Sequence, residues 1–137
     1  MKKIVLSLSF CLAVLALSAQ ATIDQQAVQQ ATDELTALYQ LDAQQTPKMQ
    51  IIQERLFRNL AEIEVLKDQQ PILYLEKKKN IRRGMEASIK MMLTTDQMAI
   101  FNQQLVERRK KESDKIKNLK AEGASKEAIQ MALLEIE

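Results

Sequence analysis

The sequence predicts an all-α chain, and three observations carry that prediction. Gln, Glu, Lys, Ala and Leu abound while there are only 2 Gly and 2 Pro, a composition that favours helix. No stretch alternates with period two for long enough to make a strand. Apolar residues recur instead at three- and four-residue steps, and the few breaks divide the chain into four to five helices.

Residues 1–21 read as a targeting segment. Lys2 and Lys3 form a basic start, Ile4 to Leu17 is uncharged and apolar, and Ala19-Gln20-Ala21 supplies the small-x-small site of a signal peptidase. The apolar run is short for a membrane span. Cys11 lies inside it, after Phe10, whereas a lipidated cysteine would end it. Export with cleavage near Ala21 is expected, with no stable membrane insertion afterwards. Residues 22–137 are then a single helical domain.

Removing the segment removes the charge excess. The full chain has 20 Lys+Arg and 18 Asp+Glu, and both extra lysines lie in residues 1–21. The remainder has no Cys and no His. It therefore has no disulfide framework, and no thiol or imidazole chemistry.

The first helix is expected over Ile23 to Tyr39, with Ala27, Val28, Ala31, Leu35 and Leu38 on one face. Its Gln-rich opening predicts a weakly held first turn. The second begins within "LDAQQTPKM". Asp42 can cap it with Gln45 at N3, or Thr46 can cap it with Pro47 at N1. A tight first turn followed by a kink reconciles the two. Met49, Ile52, Leu56, Ile63 and Leu66 carry its stripe, and Ile51, Phe57, Leu60 and Val65 widen it, so it can touch partners on more than one side. "KDQQP" ends it. The third helix runs from Pro71 to Met92 on Ile72, Leu75, Ile81, Met85, Ile89 and Met92, with Gly84 a weak point of about 1 kcal/mol relative to Ala.

"LTTDQ", Leu93 to Gln97, starts the fourth helix. Thr94 is a good N-cap, and Gln97 can return a bond to its backbone. Asp96 suits the positive end of the helix dipole. Leu93 and Met98 are placed as a hydrophobic staple. Met98, Phe101 and Leu105 give a short stripe. "ERRKKESDKIK" then carries mostly charge, which implies a solvated length of helix. Gly123 fits C′ and Ser125 can cap a last amphipathic helix through Ala128, Ile129, Ala132, Leu133 and Ile136.

Charge is spread unevenly. Residues 22–76 hold 4 basic and 9 acidic side chains, net −5. Residues 77–120 hold 13 basic and 5 acidic, net +8. One arm is strongly positive. Its cations, interleaved with Ile81, Met85 and Ile89, can attract acidic unfolded chains and then offer apolar contacts. Methionine suits that use because its thioether adapts to irregular surfaces. The alternative reading makes the methionines core and the Lys and Arg a solvated face.

"LDAQQ", Leu41 to Gln45, echoes "LTTDQ". Each has Leu, a capping residue next, and Gln at the fifth place. With the export segment and the helical length, this layout resembles the Spy/CpxP family of periplasmic proteins, whose repeated motif is LTxxQ. The match rests on Leu93, Thr94 and Gln97, and on Leu41 and Gln45, with Asp42 where Thr is usual and a later proline, Pro47. The resemblance implies a periplasmic, extended, curved helical hairpin that forms a homodimer. It also implies ATP-independent chaperone activity on unfolded or stress-damaged envelope proteins, or binding to the periplasmic domain of an envelope-stress sensor kinase. Some relatives bind metal, but residues 22–137 have no His or Cys to supply their nitrogen and sulfur ligands.

The candidate client surface is Lys77, Lys78, Arg82, Arg83, Met85, Ile89, Arg108 and Arg109. The candidate structural motif is Leu41, Asp42, Gln45, Leu93, Thr94 and Gln97. No catalytic, metal or cofactor site is expected. Glu62 with Glu64, and Asp33 with Glu34, do not face one another on a helix, and no glycine-rich phosphate loop occurs. Nucleic acid is not an expected partner. A coiled-coil adaptor is a further alternative, although "ERRKKESDKIK" lacks an apolar seam. Dimerisation is expected on physical grounds too, because thin helices bury little apolar surface alone.

Overall fold

The computed structural model describes residues 23–136. The targeting segment expected over residues 1–21 lies outside them. The described residues form six helices and no strand. They are α1 (Gln25–Tyr39), α2 (Thr46–Ile63), α3 (Leu66–Gln69), α4 (Pro71–Met92), α5 (Thr95–Ala121) and α6 (Lys126–Glu135). α1 packs on α2, and α2 packs on α4. α5 meets α1, and α6 folds back to lie against both α5 and α4. No helix among the described residues is long and apolar enough to cross a membrane.

Local chemistry explains most of these boundaries. α1 starts two residues later than its periodicity suggests. Its first turn is held, not loose, because the Asp24 carboxylate accepts from the N–H groups of Gln26 (2.9 Å) and Ala27 (3.2 Å). α1 ends at Gln40, which adopts the left-handed conformation (φ 52°) without being glycine. The Leu41 N–H closes that turn on the Thr36 carbonyl at 2.9 Å.

Of the two proposed starts of the second helix, the Asp42 start is realised and Thr46 does not cap: it is the first helical residue, and its hydroxyl donates back to the Asp42 carbonyl at 3.0 Å. Asp42 accepts from the N–H groups of Gln44 and Gln45, each at 2.8 Å, and forms a tight opening turn. Regular helix then begins at Thr46, with Pro47 where its missing N–H costs nothing.

The far end departs from expectation. α2 stops at Ile63, so Val65 and Leu66 do not continue its stripe, and Val65 is exposed. The chain turns, makes the short α3, and re-enters helix at Pro71. Gln70 leaves the helical region (φ −144°, ψ 69°), consistent with the restriction that a following proline imposes. This extra turn of helix makes six elements where four or five were expected. α4 and α5 keep the predicted limits. Gly123 (φ 74°) ends α5, and Ser125 Oγ accepts from the Ala128 N–H at 3.1 Å to start α6.

The core is small. Tyr39, Met49, Ile89 and Phe101 form its centre, drawn from α1, α2, α4 and α5. Leu41, Leu93 and Met98 pack against it together with Met85 and Met92. Methionines thus serve mainly as core, with Met91 an exposed exception. Buried Gln53 sits under this core, its amide between the sulfurs of Met49 (3.6 Å) and Met85 (3.8 Å).

Candidate functional site

Two features stand out, a polar node and an apolar groove. The node is where the two echoing motifs meet. Gln97 Oε1 accepts from the Thr94 N–H at 2.9 Å, and Gln45 Oε1 accepts from the Asp42 N–H at 3.1 Å. Each is the glutamine half of its own capping box. The amide groups then cross. Gln45 Nε2 donates to Gln97 Oε1 (2.8 Å) and to the Met92 carbonyl (2.9 Å). Gln97 Nε2 donates to Gln45 Oε1 (2.9 Å) and to the Gln40 carbonyl (3.2 Å).

The exchange is reciprocal. Each glutamine binds its own cap, the other glutamine, and the carbonyl immediately before the other motif's leucine. Each uses two donors and two acceptances, the full capacity of a primary amide. Gln40 supplies the accepting carbonyl on one side, so its left-handed backbone aims the oxygen that Gln97 reads. All six motif residues, Leu41, Asp42, Gln45, Leu93, Thr94 and Gln97, therefore converge, although the two glutamines are 52 positions apart. Spacing alone indicated two similar helix starts, not that they would bind each other.

The groove lies between α4 and α5 and holds about 380 Å³. Leu56, Met85 and Leu105 supply apolar wall, and Leu133, Leu134 and Ile136 at the end of α6 line it from the other side. Lys78, Lys79, Arg82, Arg83 and Arg109 rim it, with Glu86, Arg108 and Glu112 among them. The pairs 78–79 and 82–83 repeat at four residues, so both return to one face of α4. Arg108 reaches across and pairs with Glu86, tying α5 to α4. Tyr39 OH donates to Gln104 Oε1, tying α1 to α5 near the same charges. Burial pushes the Tyr39 phenol up, the Glu86 carboxylate adds to this, and Arg108 opposes it.

Six of the eight residues expected on a client surface line this groove together: Lys78, Arg82, Arg83, Met85, Arg108 and Arg109. Two do not. Ile89 is only 2% exposed and belongs to the core centre, so it offers nothing to a client. It shares a face of α4 with Arg82, two turns earlier, but at its level that face meets the core centre of Tyr39, Met49 and Phe101. Lys77 is exposed but lies off the groove. Ile81 lines a separate cleft against α2, with Ile52, Gly84 and Ser88. The sequence reading missed Lys79, Leu105 and the α6 residues. The four-residue repeat of the lysines and the amphipathic pattern of α6 were the available signals.

Among the described residues, no three His, Cys, Asp or Glu side chains gather as a metal-ligand group. No protein-family model, curated protein or solved structure matches this chain.

Proposed function

We propose that this chain is an exported, ATP-independent holdase of the Spy/CpxP type that captures unfolded or damaged envelope proteins in the groove between α4 and α5. The observation that carries this reading is a groove in which apolar side chains lie among cations from both helices. Charge speeds the encounter with acidic segments, and the apolar wall then holds exposed side chains. The paired capping boxes support the family resemblance, because the repeated motif has one structural role at both sites. In this reading the helices form an extended, curved hairpin arrangement that pairs as a periplasmic homodimer. The small core supports dimerisation, since exposed Leu38, Ile51, Val65, Ile72 and Val106 leave apolar surface for a second copy.

The test is suppression of client aggregation by purified protein without ATP. Equimolar protein should suppress it, and Arg83→Glu with Arg109→Glu should weaken suppression several-fold. Raising salt should slow capture, because the rim charges are exposed to screening. No suppression at several-fold excess would sink the reading. Recovery of one folded, stoichiometric sensor domain from an envelope fraction, with no effect on unfolded clients, would replace it with the regulatory alternative.

A further inference from the structure

One wall of the groove is built by the chain's own last helix. Leu133, Leu134 and Ile136 of α6 line it together with Leu56, Met85 and Leu105. α6 returns there because Gly123 reverses the chain. Its N–H reaches the Lys120 carbonyl (3.1 Å) and the Ala124 N–H reaches the Leu119 carbonyl (2.9 Å). That closure needs the positive φ of Gly123. The seat is shallow, because no residue of α6 is buried. Charge also fits. Glu135 sits in sequence between Leu134 and Ile136, and the groove that those two residues line also carries lysine and arginine from α4 and α5.

We infer that α6 is a resident ligand of the groove, and that the groove's external ligand is a segment of the same chemistry: an amphipathic helix with an apolar face and acidic flanks. α6 and such a segment compete for one site. Tethered binding gives α6 a high effective concentration, so the closed form excludes weak ligands. Segments with larger apolar faces or more acidic flanks displace it. The groove is thereby covered when no client is present, which limits self-association through exposed apolar surface. This inference rests on the groove being the client site, but its test has a separate readout.

The probe is a labelled peptide of residues 125–136, followed by fluorescence anisotropy on the full chain. Leu133→Asp with Leu134→Asp unseats α6 without altering α4 or α5. In the wild type α6 covers the groove, so the double variant should bind the peptide at least tenfold more tightly. Adding Arg83→Glu to the double variant should weaken that binding several-fold, which places the peptide in the groove. Circular dichroism guards against global unfolding, since loss of helix beyond the share of α6 would disqualify the variant. Hydrogen exchange on the unmodified chain then gives an independent reading. Saturating unlabelled 125–136 peptide should speed exchange in the chain's own α6 and slow it along α4 and α5. Equal peptide binding by wild type and double variant, or no change in α6 exchange, would overturn the inference. Peptide binding without aggregation suppression would sink the holdase reading alone. Equal suppression by both chains without peptide binding would sink this inference alone.

Discussion

Replacing Gln97 by Ala tests the reciprocal node most directly. The substitution deletes four hydrogen bonds. Two go to the Thr94 N–H and the Gln40 carbonyl, at exposed sites where water can take over. The other two go to Gln45, which is only 6% exposed. Water replaces these poorly, so Gln45 is left with one donor and one acceptor unsatisfied. A net bond is worth about 1 kcal/mol and an orphaned buried polar group costs about 1–3 kcal/mol. The expected loss is about 2–4 kcal/mol, or roughly 8–16 °C in Tm for a domain of this size. Gln45→Ala should cost a similar amount. The double variant orphans neither amide, so it should be less destabilised than the sum of the singles by about 1–3 kcal/mol.

Urea unfolding followed by helical circular dichroism measures all three. Gln97→Glu separates the exchange from simple capping, because glutamate serves equally well at N3. It replaces the donor NH2 with an acceptor facing Gln45 Oε1 and the Gln40 carbonyl. At pH 7 it should therefore be at least as destabilising as Ala. Its introduced carboxyl prefers to be neutral when folded, so its folded pKa rises above the unfolded value of about 4.3. Stability should then recover as pH falls through the folded pKa, and the recovered part is complete below the unfolded one. Additive single losses within about 0.5 kcal/mol, together with a Gln97→Glu variant as stable as wild type, would refute the exchange.

Other substitutions probe neighbouring contacts. Tyr39→Phe should cost about 1 kcal/mol by removing the bond to Gln104. The Tyr39 phenol is raised from 10.0, so its neutral form stabilises the fold below pH 10 and this is lost as pH climbs through the folded pKa. Alkaline unfolding curves should thus be shallower for Tyr39→Phe than for wild type. Gly123→Ala meets no steric neighbour but must adopt φ 74°, costing about 1–2 kcal/mol. Hydrogen exchange in α6 should quicken more than in α4. Gln45→Leu with Gln97→Leu removes both amides at once and should leave Tm within a few degrees, while loosening hydrogen-exchange protection at the start of α5.

How much of this was readable in the sequence follows the range of the interaction. The Thr94 box, the Pro71 start, the Gly123 stop and the Ser125 cap each depend on residues within four or five positions, and each was found. The break after Ile63 was not, because Val65 and Leu66 keep the apolar rhythm while the backbone leaves it. Ile89 illustrates a second limit. Periodicity put it on the same stripe as Met85, but one turn of helix separates groove wall from core centre. Only packing against Tyr39, Met49 and Phe101 decides that. The echo of "LDAQQ" in "LTTDQ" was visible, yet the crossing of the two amides was not. A capping glutamine needs only its own turn, and nothing local announces that its second hydrogen seeks a carbonyl across the fold.

That crossing explains why glutamine suits these positions better than an apolar residue. Leu41 and Leu93 already supply apolar contact to the core, and apolar contact tolerates sliding. The amides do not. Gln45 reads the carbonyl of Met92, the last residue of α4, and Gln97 reads that of Gln40, the residue ending α1. A shift of one residue in either helix would present an N–H or a side chain where an acceptor is required, leaving buried polar groups unpaired. The node thus fixes where α4 ends and α5 begins relative to the turn between α1 and α2. From that fixed corner, α5 runs along α1 and α6, and beyond the shared core the Arg108–Glu86 pair ties it to α4. The space left between α4 and α5 is the groove. Its opening is set by an angle specified at the node, while its chemistry is supplied by residues that the node never touches.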